Sequence, residues 1–294
     1  MRHQRILASA LAAALLLPLA ACGAAEPEPS ATPDPHEGME YISIGDYYDW
    51  ITPAEGLETA GFTQDDFYLR EDGIVEYRGD EYETRLGVDV SFYQGDIDWQ
   101  AVADSGVEFA MIRCGYRGYG EEGNMAEDEK FRQNMEGALA AGLDVGVYFF
   151  SQSLGAIEAA EEALYVLDLI EGYDLTMPVA FDWEPVEQAE RYDEVDSEAI
   201  TSSAIVFCEM IEDAGYTPCV YLYRYIAYYE YEMERLSEYP LWVGAPGYWD
   251  DFYYEHGMWQ FSTTGDIPGI EADVDLNLQY LPVEAAGPPE DSAK

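Results

Sequence analysis

From Leu86 onward, short apolar runs alternate with segments of helical period. Residues 87–91, 107–114, 144–150 and 178–181 read as strands, and 219–222, 241–243, 258–261 and 272–276 as four more. Helical patterns over 97–105, 126–141, 155–171 and 197–214 fill the earlier gaps. Gly106, Gly142, Gly172 and Gly215 follow them, as C-terminal helix caps do. Strands that are apolar throughout are buried on both faces, as in a parallel sheet covered by helices. The later connections are shorter and less helical. About eight strands in roughly 200 residues predict an α/β fold, a compact or incomplete (β/α)8-type barrel, with an open doubly wound sheet as the alternative. No Gly-x-Gly-x-x-Gly follows the first strand, so nucleotide binding gains no support.

The fourth strand runs into Phe181-Asp182-Trp183-Glu184. Residues i and i+2 of a strand share a face, so Asp182 and Glu184 project side by side, their Cα atoms about 6.6 Å apart. Paired carboxylates at the mouth of a pocket suit glycoside hydrolysis. An exposed strand end in an acidic protein would look the same, since Asp and Glu are mostly solvated. In a parallel barrel the catalytic groups gather at the C-terminal ends of strands. On that frame Asp89, in the first strand, and Asp275, in the eighth, are neighbours where the barrel closes and face Asp182 and Glu184 across the mouth. Val88-Asp89-Val90 and Val274-Asp275-Leu276 are apolar settings. Unpaired buried carboxylates are costly and tend to mark sites with shifted pKa values. Structural acids bonded to backbone amides or to Arg113 are the competing reading.

The start of the chain reads as a targeting signal. Arg2, His3 and Arg5 precede an apolar stretch over 6–21, a secretory pattern shorter than the ~20 residues a spanning helix needs. Leu19-Ala20-Ala21-Cys22-Gly23 resembles a bacterial lipoprotein box, in which Cys22 becomes the lipidated N-terminus; secretion with a chance Cys is the alternative. Two acyl chains on one Cys anchor stably to a membrane. Residues 24–38 are rich in Pro, Ala, Glu and Ser and read as a disordered tether. The expected location is therefore extracytoplasmic, lipid-anchored to the cell membrane. The expected division is a signal peptide (1–21), lipidated Cys and tether (22–38), an aromatic-rich N-terminal extension (39–85), the barrel (86–282) and a disordered tail (283–294). In the extension, residues 67–69 and 74–77 flank Glu71-Asp72-Gly73, a hairpin signal. At under ~50 residues its core would be marginal, so it should pack on the barrel; a small wall-binding role stays open.

The chain of 294 residues carries 13 basic and 60 acidic side chains, a net charge of −47. Nucleic acid is excluded as a partner, because phosphate contacts need Lys and Arg clusters. Docking onto anionic lipid or wall polymers is disfavoured too. Besides Cys22 there are Cys114, Cys208 and Cys219; a Cys208–Cys219 disulfide is possible in an exported protein. The three histidines are His3, His36 and His256, too few and too scattered for a His-based triad or a multi-His metal site. No metal is expected.

Gly87-Val88-Asp89-Val90-Ser91, followed by Tyr93-Gln94-Gly95 and Ile97-Asp98-Trp99, resembles the opening of the family 25 glycoside hydrolases, the muramidase-type lysozymes. The likeness continues through residues 109–116, Asp128-x-x-Phe131-x-x-Asn134, residues 142–148 and Phe181-Asp182-Trp183-Glu184. It closes with Trp259-Gln260-Phe261-Ser262 and Asp273-Val274-Asp275-Leu276-Asn277, so it covers residues 86–282 in order. The resemblance implies a flattened (β/α)-type barrel that cleaves the β-1,4 bond between N-acetylmuramic acid and N-acetylglucosamine in peptidoglycan strands, with no cofactor. It implies Asp89, Asp182, Glu184 and Asp275 as the catalytic cluster. Glu184 is then the general acid, its pKa raised by apolar walls and like charges. Asp182 would orient the substrate's own N-acetyl group as it attacks the anomeric carbon. Carboxylate spacing alone leaves direct, inverting and substrate-assisted routes open. Tyr148, Tyr221 and Tyr116 would be sugar platforms, with Trp259 and Gln260 in the substrate-binding set; Trp183 and Trp259 fit barrel packing equally well. Two departures stand out: Pro246-Gly247 occupies a place where relatives often carry a Tyr, and a net charge of −47 is unusual for an enzyme acting on an anionic wall. The alternatives are a non-catalytic glycan-binding lipoprotein and a chitinase-like glycosidase.

Overall fold

The computed structural model describes residues 34–186 and 195–283. The expected signal segment 1–21, Cys22, the expected tether up to residue 33 and the expected tail from residue 284 lie outside the described residues. Two antiparallel hairpins come first: β1 (Glu40–Ser43) with β2 (Tyr48–Ile51), and β3 (Phe67–Leu69) with β4 (Val75–Tyr77). The second turns at Asp72-Gly73, where Gly73 holds a φ of 82° that a two-sided turn requires. The first was not anticipated, because Tyr48–Ile51 is polar or exposed except at its last residue and carries no burial pattern.

The barrel follows in the order β5 (Tyr82–Val90), α1 (Trp99–Asp104), β6 (Phe109–Arg117), β7 (Met125–Glu127), α2 (Phe131–Ala141), β8 (Asp144–Ser151) and α3 (Ala156–Ile170). It continues through β9 (Val179–Trp183), α4 (Ser197–Asp213), β10 (Pro218–Tyr223), α5 (Arg224–Tyr229), β11 (Leu241–Gly244), β12 (Met258–Gly265) and β13 (Val274–Pro282). Strand order is β5-β13-β12-β11-β10-β9-β8-β6-β7, and β5 also pairs with β6, so eight strands close and β7 hangs on the edge of β6. This is a mixed α/β barrel rather than an open sheet.

Three details differ from the sequence expectation. The eighth strand is antiparallel to both neighbours, where a parallel barrel was expected. The connection from β12 to β13 spans only residues 266–273 and contains no helix, and a connection that short returns the chain as a hairpin rather than a crossover. Next, β5 begins at Tyr82, inside the segment assigned to the extension, because it pairs with β13 as far as Tyr82↔Pro282. Finally, the helix expected over 126–141 begins at Phe131. Residues 125–127 pair with β6, and Asp128 accepts from the Lys130 amide at 2.9 Å before the helix starts.

The core has two layers. Inside the barrel lie Phe109, Met111, Met177, Ala180, Cys219, Tyr221, Trp242 and Met258. Gly87 is placed so that a Cβ would stand 2.2 Å from the Phe109 ring, so the bare glycine lets that ring fill the barrel beneath Asp89, which shares its face. Outside, the opposite strand faces meet the helices, as Phe181 meets Phe207 at 5.3 Å between ring centroids. Cys219 faces the interior, away from α4, so Cys208 and Cys219 are both free buried thiols and the possible disulfide is absent.

Among the described residues no helix follows β11, β12 or β13. The extension takes the helices' place there: Phe67 packs edge-on against Trp259 at 5.4 Å, and Phe62 meets Tyr280 at 4.9 Å. Burying these rings offers the extension the core it could not build alone.

Candidate active site

Strand geometry places the acids. In β9 Asp182 points into the mouth of the barrel, Trp183 points out into the helix-covered layer, and Glu184 turns back just past the strand end. Asp182 stands in register with Phe150 of β8 and Tyr221 of β10. Asp89 and Asp275 are direct partners across β5 and β13. Because β13 runs antiparallel, its second residue lies at the end where β5 finishes, so Asp275 reaches the mouth from the start of its strand.

All four acids line one open cleft of about 680 Å³. Tyr148, Tyr221 and Tyr116 line it as well, with Gln260, Trp242, Arg113 and Tyr93. Trp259 does not. It is fully buried on the outer face, donating to the Ala245 carbonyl at 2.8 Å and packing on Phe67. Trp259 and Gln260 are consecutive in β12, so only one of the two can face the cleft. Trp259 is therefore removed from the substrate-binding set.

The acids sit in a fixed hydrogen-bond chain. Tyr221 donates to Gln260 Oε1 at 2.8 Å, and Gln260 Nε2 donates to Asp89 Oδ2 at 3.0 Å and toward Asp275 Oδ2 at 3.4 Å. From the other side Trp242 donates to Asn277 Oδ1 at 2.8 Å, and Asn277 Nδ2 donates to Asp89 Oδ2 at 2.8 Å. Each amide is oriented by a donor on its carbonyl, so both point their N–H groups at Asp89. Asn277 and Trp242 were not singled out from sequence. The signal for Asn277 was its place two residues after Asp275, on the same strand face.

Burial raises the pKa of all four carboxyls. Burial and then the charge of Asp89 push Glu184 up to about 7, with the neighbouring Tyr221 hydroxyl opposing. Burial, the charge of Asp89 and a hydrogen bond shared with Asp89 push Asp275 to about 8. Asp89 is raised by burial but held back by its bonds from Asn277, Gln260 and Asp275. Asp182 is raised well above the usual range by burial, then by the charges of Glu184 and Asp89, with Arg113 opposing. Its Oδ1 is buried without a hydrogen-bond partner. The unpartnered Asp182 Oδ1 can accept an N–H from a ligand, and Glu184, with its raised pKa, can give a proton near neutrality.

Arg113 acts on the acid cluster only at a distance, since its ion pair is with Asp128. Its Nε and Nη2 both reach Asp128 Oδ2 at 2.8 Å, and Asp128 is buried. The guanidinium carbon stands 5.2 Å from the Phe92 ring, 5.4 Å from Tyr93 and 5.6 Å from Tyr116, so it braces an aromatic wall of the cleft.

The family described as "Glycosyl hydrolases family 25" matches residues 88–270. The autolytic lysozyme of Clostridium acetobutylicum is 28% identical over 192 residues, covering 65% of this chain and 54% of its own length. A family 25 glycosyl hydrolase from Bacillus anthracis superposes with a TM-score of 0.53 at 26% identity, covering 68% of this chain and 90% of that one. The modular autolysin LytC from Streptococcus pneumoniae shares the fold, with a TM-score of 0.59 at 24% identity over 73% of this chain and 52% of that one. The chain thus spans about half the length of the autolytic lysozyme and of LytC.

Proposed function

The chain belongs to family 25 of the glycosyl hydrolases, and on that premise we propose that it is a muramidase cleaving the β-1,4 bond between N-acetylmuramic acid and N-acetylglucosamine in peptidoglycan. The observation that carries the reading is the cleft itself: four carboxyls from three strands, one of them held at about 7, beneath tyrosine walls.

Glu184 is the general acid. It is the carboxyl at the strand end, partly open to the cleft, and its raised pKa keeps it protonated near neutrality. Asp182 accepts the N–H of the substrate's acetamido group on its unpartnered Oδ1. That contact aims the acetamido carbonyl oxygen at the anomeric carbon. As the C1–O(acetamido) bond forms, the C1–O(glycosidic) bond breaks and the Glu184 proton passes to the leaving oxygen. Glu184, now a carboxylate, takes a proton from water as it opens the oxazolinium ring, and the cycle closes. Asp89, charged and fixed by Gln260 and Asn277, stabilises the positive charge that develops at C1. Tyr148, Tyr221 and Tyr116 position the sugar rings.

The named activities of the lysozyme and autolysin relatives support peptidoglycan as substrate. We further propose that residues 1–21 direct export and that Cys22 carries the lipid anchor, with the barrel working outside the membrane.

Protein lacking residues 1–22 is expected to release reducing ends from purified peptidoglycan. Glu184→Gln should lower kcat by about 10²–10⁴-fold with an unchanged circular dichroism spectrum. Undiminished turnover in that variant removes the acid assignment. Equal turnover of chitin would favour a chitinase-like enzyme instead. For the anchor, Cys22→Ser should move the protein from the membrane fraction to the medium.

A further inference from the structure

The β1–β2 hairpin lies outside the family match, and its turn walls a second hollow of about 510 Å³. The facing wall is the segment after β11, Pro246-Gly247-Tyr248-Trp249. Tyr223, the last residue of β10, lines both this groove and the catalytic cleft, so the two adjoin at that side chain.

The groove is rimmed by open aromatic rings. Tyr48 is 59% exposed and Tyr248 53%. Tyr48 stacks on Tyr41 at 5.5 Å with 24° between planes, and Tyr41 meets Trp50 at 5.1 Å, so an aromatic row runs along the hairpin. Exposed apolar patches of this kind mark interaction surfaces.

The hairpin is fixed to the barrel. Buried Arg224 donates to Ser43 Oγ at 2.8 Å, pairs with Asp251 and reaches the Ala245 carbonyl at 3.5 Å. Tyr229 of α5 donates to Asp49 Oδ2 at 2.7 Å. The groove is therefore preformed, which limits the ordering entropy a ligand must meet. Arg224 is already spent on Asp251, and Asp46 adds a negative charge at the turn. Among the described residues an anionic ligand such as a phosphate or an acidic headgroup finds no free cation lining this groove. An uncharged ring with one C–H face and several hydroxyls fits it: aromatic faces take the C–H side, and carboxylate, phenol and backbone groups take the hydroxyls.

We propose that this groove is a remote glycan subsite, in which the β1–β2 turn and the loop after β11 hold the stretch of strand that runs out of the cleft past Tyr223. The proposal rests on the reading of the cleft as a glycan site. The extension thus has two roles: its second hairpin seals the barrel where helices are missing, and its first lengthens the substrate track.

Binding far from the scissile bond tightens long substrates without changing the chemical step. The test uses the full chain with Tyr48→Ala, Tyr248→Ala and both together; both side chains are mostly exposed, so the fold should survive. On long uncross-linked glycan strands the double variant should raise KM by about 5- to 30-fold, from two aromatic contacts, with kcat unchanged. On a disaccharide bearing a small chromogenic leaving group it should match the parent. Unchanged KM on long strands overturns the proposal, as does an equal loss on both substrates. Should the parent cleave neither, the muramidase reading fails by itself, and sedimentation with intact strands still reads the groove: weaker retention of the double variant supports it and equal retention rejects it. Binding to phosphatidylglycerol–phosphatidylethanolamine vesicles that the double variant loses, with glycan KM unmoved, assigns the row to a membrane and overturns the glycan subsite.

Discussion

At the scale of single residues, burial favours the protonated form of the cleft carboxyls, where water would favour the charged one. As the proposed general acid, Glu184 must be protonated to act, and burial together with the charge of Asp89 pushes its pKa up to about 7. The pH profile of kcat/KM should therefore fall through an alkaline limb near pH 7, read with a soluble glycan substrate. Removing the charge of Asp89 takes away the second-largest cause, so Asp89→Asn should move that limb downward; a limb that stays in place identifies a different acid. The same shifts carry a stability consequence. Glu184, Asp275 and Asp182 have folded-state pKa values above their unfolded values. The folded state then binds more protons, and stability present below about pH 4 is lost as pH rises toward the folded values of about 7 and 8. Asp182→Asn carries no charge to desolvate. It should raise Tm by several degrees at neutral pH, on the order of 1–3 kcal/mol, with little gain near pH 4, while activity falls. A variant destabilised at neutral pH would show that the carboxylate, rather than the neutral acid, is the favoured state of that position.

At the scale of elements, β12 separates structure from function by alternation. Gln260 faces the cleft and Trp259 faces the extension. Trp259→Ala should cost about 3–5 kcal/mol in urea unfolding, from the lost core ring, and leave KM of the surviving folded protein unchanged. Gln260→Ala should do the reverse, lowering kcat through Asp89 with a small stability effect. A large KM change in Trp259→Ala would return that residue to the substrate set. The strand pattern was legible because continuous apolar runs such as Val145-Gly146-Val147, set between helical periods, read as buried strands. Asp89, Asp182 and Glu184 could be placed at the mouth from their strand positions, whereas Asp275 was expected there from a parallel strand and reaches it from the start of an antiparallel one. The direction of β13 was not legible, since parallel and antiparallel strands carry the same apolar residues and only the short link before it distinguishes them. The Asn277–Trp242 pair escaped for a different reason. A hydrogen bond between side chains of residues 242 and 277 depends on register between strands, which no local pattern encodes. The β1–β2 hairpin escaped because its aromatics are exposed, and exposed rings obey no burial period.

At the scale of the whole molecule, a net charge of −47 would meet the anionic polymers of the proposed wall substrate. Like charges slow encounter, and the penalty fades once ions shorten the screening length to ~8 Å at physiological salt. For protein lacking residues 1–22, kcat/KM on intact cell wall should rise several-fold between about 10 mM and 150 mM salt, with kcat unchanged. An uncharged oligosaccharide should show no such trend, because there is no long-range field on the ligand. The opposite slope on intact wall would reveal a local cationic docking face overriding the net charge. The proposed anchor bears directly on this repulsion. A membrane-held enzyme on a tether meets the wall at an effective concentration set by tether length rather than by free diffusion, commonly in the millimolar range. Encounter then no longer depends on attraction between enzyme and polymer, and an acidic surface carries no kinetic disadvantage. The lipidated protein in intact membranes should accordingly show a flatter salt dependence than the soluble form acting on the same wall. Equal salt slopes for the two would mean that tethering does not relieve the repulsion.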